Sequence, residues 1–130
     1  MRHASPSILA GIIALTSTLL QPAAAADLAH GEKVFRACAS CHSLDADGKG
    51  FGPTLHGIVG RPAAQVANFS YSPAMKAAAA SGLVWDEKTL AEFLAKPQAK
   101  VPGTAMRFWG LWSWELADVI AYIKAAAARP

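Results

Sequence analysis

Two cysteines and a histidine carry the most specific chemistry in this chain: Cys38, Ala39, Ser40, Cys41 and His42 form a CxxCH run. Residues three apart on a helical turn face the same side, so each thiol can add to one vinyl group of a haem while the adjacent imidazole meets the iron. Covalent haem attachment is the chemistry this implies, and a group held by two thioether bonds cannot leave. Other uses of the same residues fit less well. A redox dithiol needs no following imidazole and usually sits among alternating strands and helices. A structural zinc site wants four ligands, and His30, His42 and His56 lack the paired spacing such sites show. A disulfide between Cys38 and Cys41 leaves His42 without a role.

The second iron ligand decides between electron transfer and catalysis. Past the N-terminal segment the candidates are Met75, Met106, His30 and His56. Met106 follows Val101-Pro102-Gly103-Thr104-Ala105, an extended stretch between two helices from which a loop can present a thioether to one haem face. It is the chosen ligand. Met75 reads as a gap-filling core residue, His30 as a surface or helix-start residue, and His56 as the partner of a loop carbonyl.

The elements that must position these groups are helical. A first helix is expected over 28–41, with Val34, Phe35 and both cysteines at helical spacing and Gly31 where another backbone could approach. Turn residues fill 43–69. Ser72-Pro73 starts a helix that ends at Gly82. Asp86 caps a further helix, Glu87 to Ala95, halted by Pro97. Ser113 is expected to cap a last helix reaching about Ala127, with Glu115 in its first turn and Leu116, Val119, Ile120 and Ile123 on its apolar side. The fold class is therefore all-α, with no alternating strand pattern.

The N-terminus sets the compartment. Arg2 and His3 precede an apolar run over 8–20, then Gln21, Pro22 and Ala23 to Ala26, which reads as a signal peptide cut after Ala26. Residues 1–26 are then a leader and 27–130 a single domain of 104 residues, exported to a periplasm; an uncleaved leader would instead anchor it. The apolar run is shorter than the roughly 20 residues a spanning helix needs. Losing Arg2 from the 12 Lys and Arg leaves 11 against 9 Asp and Glu, too balanced and too scattered for a nucleic-acid binder.

The chain resembles the class I c-type cytochromes, mitochondrial and soluble bacterial, over nearly all of residues 27–130. The resemblance rests on Gly31 and Phe35, Cys38 to His42, Gly52-Pro53-Thr54-Leu55-His56-Gly57, Gly60-Arg61, Phe69-Ser70-Tyr71, Trp85, Pro102-Gly103-Thr104-Ala105-Met106 and Asp118-Val119-Ile120-Ala121-Tyr122, in that order. It implies the class I fold of helices and loops wrapped around one haem c, bonded through Cys38 and Cys41. It also implies His42 and Met106 as axial ligands, and first and last helices meeting where Gly31 lets Phe35 reach Val119 and Tyr122. The carbonyl of Pro53 is implied as the acceptor that holds the His42 ring. Arg61, Tyr71, Trp85 and Thr104 are implied as donors to the haem propionates. The function implied is a monomeric one-electron carrier and not an enzyme, serving redox protein partners such as a membrane oxidoreductase or a terminal reductase or oxidase. The alternative is a haem subunit or small peroxidase-like enzyme with a displaceable Met ligand.

Three departures from the family pattern stand out. Phe93 occupies a position where the family often carries Tyr, which removes a hydroxyl near the Met sulfur and should shift the potential. Ala37, Gln98, Ala99, Ala105 and Trp112 stand at or near positions that often hold lysine. Phe108-Trp109-Gly110-Leu111-Trp112-Ser113-Trp114 puts three of the four tryptophans just after the ligand loop, in a segment about one residue shorter than usual. Trp109 and Leu111 are expected in the core, while Phe108, Trp112 and Trp114 are expected to form an apolar docking patch.

Overall fold

The computed structural model describes residue 1 and residues 24–129. Among the described residues five helices follow one another: α1 (Leu28–Phe35), α2 (Pro73–Ala80), α3 (Glu87–Ala95), α4 (Pro97–Lys100) and α5 (Ser113–Ala126). The all-α expectation holds, with one addition. Two-residue strands β1 (Arg61–Pro62) and β2 (Val84–Trp85) pair antiparallel, Arg61 opposite Trp85. Strands this short carry no period-2 signal, so pattern reading could not find them.

Local chemistry explains the helix ends. The carboxylates of Asp27 and Asp86 accept hydrogen bonds from the His30 N–H (3.0 Å) and the Thr89 N–H (2.7 Å), and the Ser72 hydroxyl accepts from the Met75 N–H (3.2 Å). Each satisfies a donor that a helix start leaves unpaired. Gly82, at φ +89°, lets the chain turn away after α2. α1 ends at Phe35, earlier than the expected Cys41, and the chain continues in turns in which the N–H groups of Cys41 and His42 both donate to the Cys38 carbonyl. α5 corrects the expected cap. Trp112 is the capping residue and Ser113 the first helical one; the Trp112 N–H donates to the Glu115 carboxylate at 2.8 Å. α4, begun by Pro97, was not anticipated either.

α1 and α5 pack closely. A Cβ on Gly31 would run into the Asp118 carbonyl, so only glycine permits this approach. The Phe35 and Tyr122 rings then meet at 5.7 Å, and His30 Nδ1 lies 2.7 Å from Asp118 Oδ2. The Asp27 N–H donates to Asp118 Oδ1 at 2.8 Å. These hydrogen bonds hold the Asp118 carboxyl below the usual carboxylate range, the His30 contact most strongly. Val34, Phe35, Val119, Ile120 and Ile123 join Leu90, Phe93 and Leu94 of α3 in one buried core. The expected leader lies mostly outside the described residues; Ala24, Ala25 and Ala26 are exposed. Among the described residues, no helix is long and apolar enough to cross a membrane.

Candidate functional site

A cavity of about 520 Å³ opens between the end of α1, the 51–72 loops and the segment before α5. Cys38, Cys41, His42, Pro53, Arg61, Tyr71, Trp85, Thr104 and Met106 all line it. The nine residues named from the sequence are thus brought together around one mostly apolar space of ligand size.

His42 is oriented by its neighbours. Its Nδ1 lies 2.7 Å from the Pro53 carbonyl oxygen, which can only accept, so Nδ1 carries the proton and Nε2 is left with a free lone pair. Gly52 packs against the same ring, and a Cβ there would collide with the imidazole. Such an orienting bond is what a metal-binding imidazole requires. Cys38 is the more buried thiol and Cys41 the exposed one, neither in a disulfide. Burial, and then the nearby Cys41, pushes the Cys38 thiol up.

The polar lining has particular occupations. Arg61 donates through Nη1 to the His56 carbonyl and through Nη2 to the Thr54 carbonyl, both at 2.9 Å. Burial lowers its pKa against the opposing effect of Tyr71. Part of the guanidinium therefore braces the loop, and its remaining N–H groups are available to an anion. The Tyr71 hydroxyl accepts from the Val66 N–H at 3.1 Å and keeps its own proton to donate. Trp85 and Thr104 are buried, and the Thr104 hydroxyl accepts from the Met106 N–H at 3.4 Å. Gln98 donates to the Thr104 carbonyl at 3.0 Å, bracing the Met106 loop from α4. Phe93 is buried against Trp85 with ring centres 5.0 Å apart and also lines the cavity.

His56 behaves as expected, its Nδ1 lying 3.0 Å from the Leu44 carbonyl oxygen. Met75 lines the cavity and packs against the core. Sequence reasoning missed Phe51, an exposed aromatic on the cavity rim, because nothing in a glycine-rich loop marks a rim position. It also misplaced Trp109. The ring expected in the core is 94% exposed. The cause is tertiary: Gly110, at φ +114°, lies so close to the Ala95 carbonyl that a Cβ would overlap it, and the Leu111 N–H donates to the Leu94 carbonyl at 2.8 Å. With Phe108 lining the cavity and the backbone pinned to the end of α3, the intervening Trp109 turns outward. Trp112 and Trp114 are exposed too, stacked in parallel at 5.4 Å.

The cytochrome c family model matches residues 28–127. Cytochrome c2 of Blastochloris viridis is 41% identical over 116 residues, covering 88% of each chain. Cytochrome c-554 of Methylosinus trichosporium is 42% identical over 126 residues, 95% of this chain and 93% of that one. The solved structure of cytochrome cH from Methylobacterium extorquens superposes with a TM-score of 0.69 at 42% identity, covering 76% of this chain and 98% of its own. With a cavity of the right size and chemistry, a CxxCH run on its wall and these relatives, the chain belongs to the class I c-type cytochromes, a family that carries one haem c bonded through two cysteines, here Cys38 and Cys41.

Proposed function

We propose that this electron carrier holds its haem iron between His42 and Met106 and passes one electron at a time between redox protein partners. The observation that carries the reading is the His42 ring, locked through Nδ1 to Pro53 with Nε2 free, in a cavity whose lining also includes Met106. When bound, the haem supplies a one-electron iron couple. The chain's residues do the rest. Cys38 and Cys41 would anchor the group, His42 and Met106 would supply its iron with a nitrogen and a sulfur ligand, and the Thr104 hydroxyl and Gln98 amide brace the loop that carries Met106. Arg61, Tyr71, Trp85 and Thr104 offer donors to the propionates, since a buried carboxylate without partners is costly. Leu90, Phe93 and Leu94 exclude water. Neutral thioether ligation in an apolar cavity favours the less charged, reduced iron and a potential high in the c-type range.

The same reading has a leader cut after Ala26 and residues 27–130 exported to the periplasm, supported by the basic and apolar pattern of the N-terminus and by the Asp27 N–H, which meets Asp118 in the folded domain. Carbon monoxide binding tests the closed coordination. The reduced protein should not bind it at neutral pH, whereas Met106→Ala should bind it readily. Rapid binding by the unaltered protein would favour a haem enzyme with a displaceable Met ligand.

A further inference from the structure

Resting on the carrier reading, we infer that the segment from Arg107 to Trp114 is the docking face for a redox protein whose own contact surface is apolar and presents one carboxylate. Trp109, Trp112 and Trp114 fall within six consecutive residues and are 94%, 68% and 64% exposed. None is held outward by chance. Trp109 is turned out by the Gly110 backbone pinned on α3, and Trp112 stands at the cap of α5. Trp114 precedes Leu116 by two residues and Val119 by five, and at about 100° per residue both offsets put it on the side of α5 away from the core. Indoles exposed in this number are costly in a protein that remains alone in water, and tryptophan is among the residues that anchor protein interfaces.

Place and charge identify the occupant. The segment is continuous with the cavity: Arg107 and Phe108 line it, and Trp109 follows directly. A partner seated on the indoles therefore covers the cavity mouth, where an electron must cross. The exposed residues lining the cavity are small or apolar apart from Arg107, with Ala37, Ser40 and Ala105 among them. Arg107 has no ion-pair partner among the described residues. One unpaired cation on an uncharged rim is complementary to an apolar surface with a single acidic group, and not to a ring of carboxylates. A bilayer contact would need only the indoles and gives no reason for them to adjoin the mouth.

The test is oxidation of the reduced, haem-loaded protein by washed membranes from its source organism, followed optically at several salt concentrations. Between about 0.01 M and 0.15 M salt the wild-type rate should change less than about threefold, because apolar docking is little screened. Trp109→Ala should slow it about tenfold, the loss of one interface anchor. Arg107→Gln should slow it less and abolish what salt dependence there is, while Leu28→Ser, an exposed apolar change on α1, should have no effect. Unchanged rates in the three Trp→Ala variants would overturn the proposal, as would a steep loss of rate with salt. Trp-dependent sedimentation with protein-free vesicles of anionic phospholipid would assign the face to a bilayer, and a Trp-dependent dimer in solution would assign it to a second copy; either overturns it. Ascorbate reduction separates the two readings: protein that accepts electrons from ascorbate but passes none to membranes overturns the docking face, and protein that accepts none overturns the carrier reading with it.

Discussion

The α1/α5 contact and the Arg107–Trp114 segment lie in the same small domain and obey opposite rules. At the first, every atom is spoken for: Gly31 has no room for a Cβ, Phe35 meets Tyr122, and Asp118 accepts from both Asp27 and His30. At the second, three large apolar rings face water, and the turn that presents Trp109 is held by backbone contacts of Gly110 and Leu111 to the end of α3. The interior is dictated by packing around one cavity, and the exterior beside it is free of that constraint.

Breaking the interior should have the largest effects. The Cys38→Ala, Cys41→Ala double variant should fail to retain pigment. Without the haem, the apolar walls of a cavity of about 520 Å³ would be left to water, and the burial lost weighs heavily against the ~5–15 kcal/mol that stabilises a whole domain. Circular dichroism should then show no cooperative melt, and a sharp transition would contradict the account. Gly31→Val forces a side chain into the Asp118 carbonyl and should cost about 3 kcal/mol or more in guanidinium unfolding. Gly57→Ala, with open space around its Cβ but φ +64°, should cost only about 1 kcal/mol.

That contrast shows what was legible in the sequence. Gly31, Ser72-Pro73 and Asp86 are local signals, a missing Cβ or a short polar side chain at a helix start, and they marked their elements well. CxxCH is equally local, because two thiols and an imidazole need only one turn of chain. The misplaced Trp109 depends on a distant neighbour: it points outward because Gly110 meets Ala95, and no short window around it carries that information. The start of α5 is a local contact, Trp112 with Glu115 three residues on, but tryptophan is not among the residues whose side chains cap helices, so Ser113 drew the reading instead.

Smaller effects sharpen the comparison. Asp118 has its folded pKa depressed below the ordinary aspartate value of about 3.9. Its contribution to stability is therefore complete above that value and is lost as pH falls through the lower, folded value. Asp118→Asn should remove this part of the acid limb in unfolding free energies measured from about pH 5 to pH 2; an identical limb would show that the α1/α5 clamp does not titrate. Phe93→Tyr adds a hydroxyl beside the cavity and should shift the redox potential and the alkaline transition, and an unchanged potential would remove Phe93 from the account. At the exterior, Trp109→Ala should alter stability by no more than about 0.5 kcal/mol, whereas Trp85→Ala, buried against Phe93, should cost about 3–5 kcal/mol. Equal losses would mean that Trp109 belongs to the core after all.

The far-red absorption of the ferric, haem-loaded protein at neutral pH tests the central claim most directly. Ligation by His42 and Met106 predicts a weak sulfur-to-iron charge-transfer band that disappears in Met106→Ala and persists in Trp109→Ala. A native protein without that band, or one that keeps it when Met106 is replaced, would contradict the assignment.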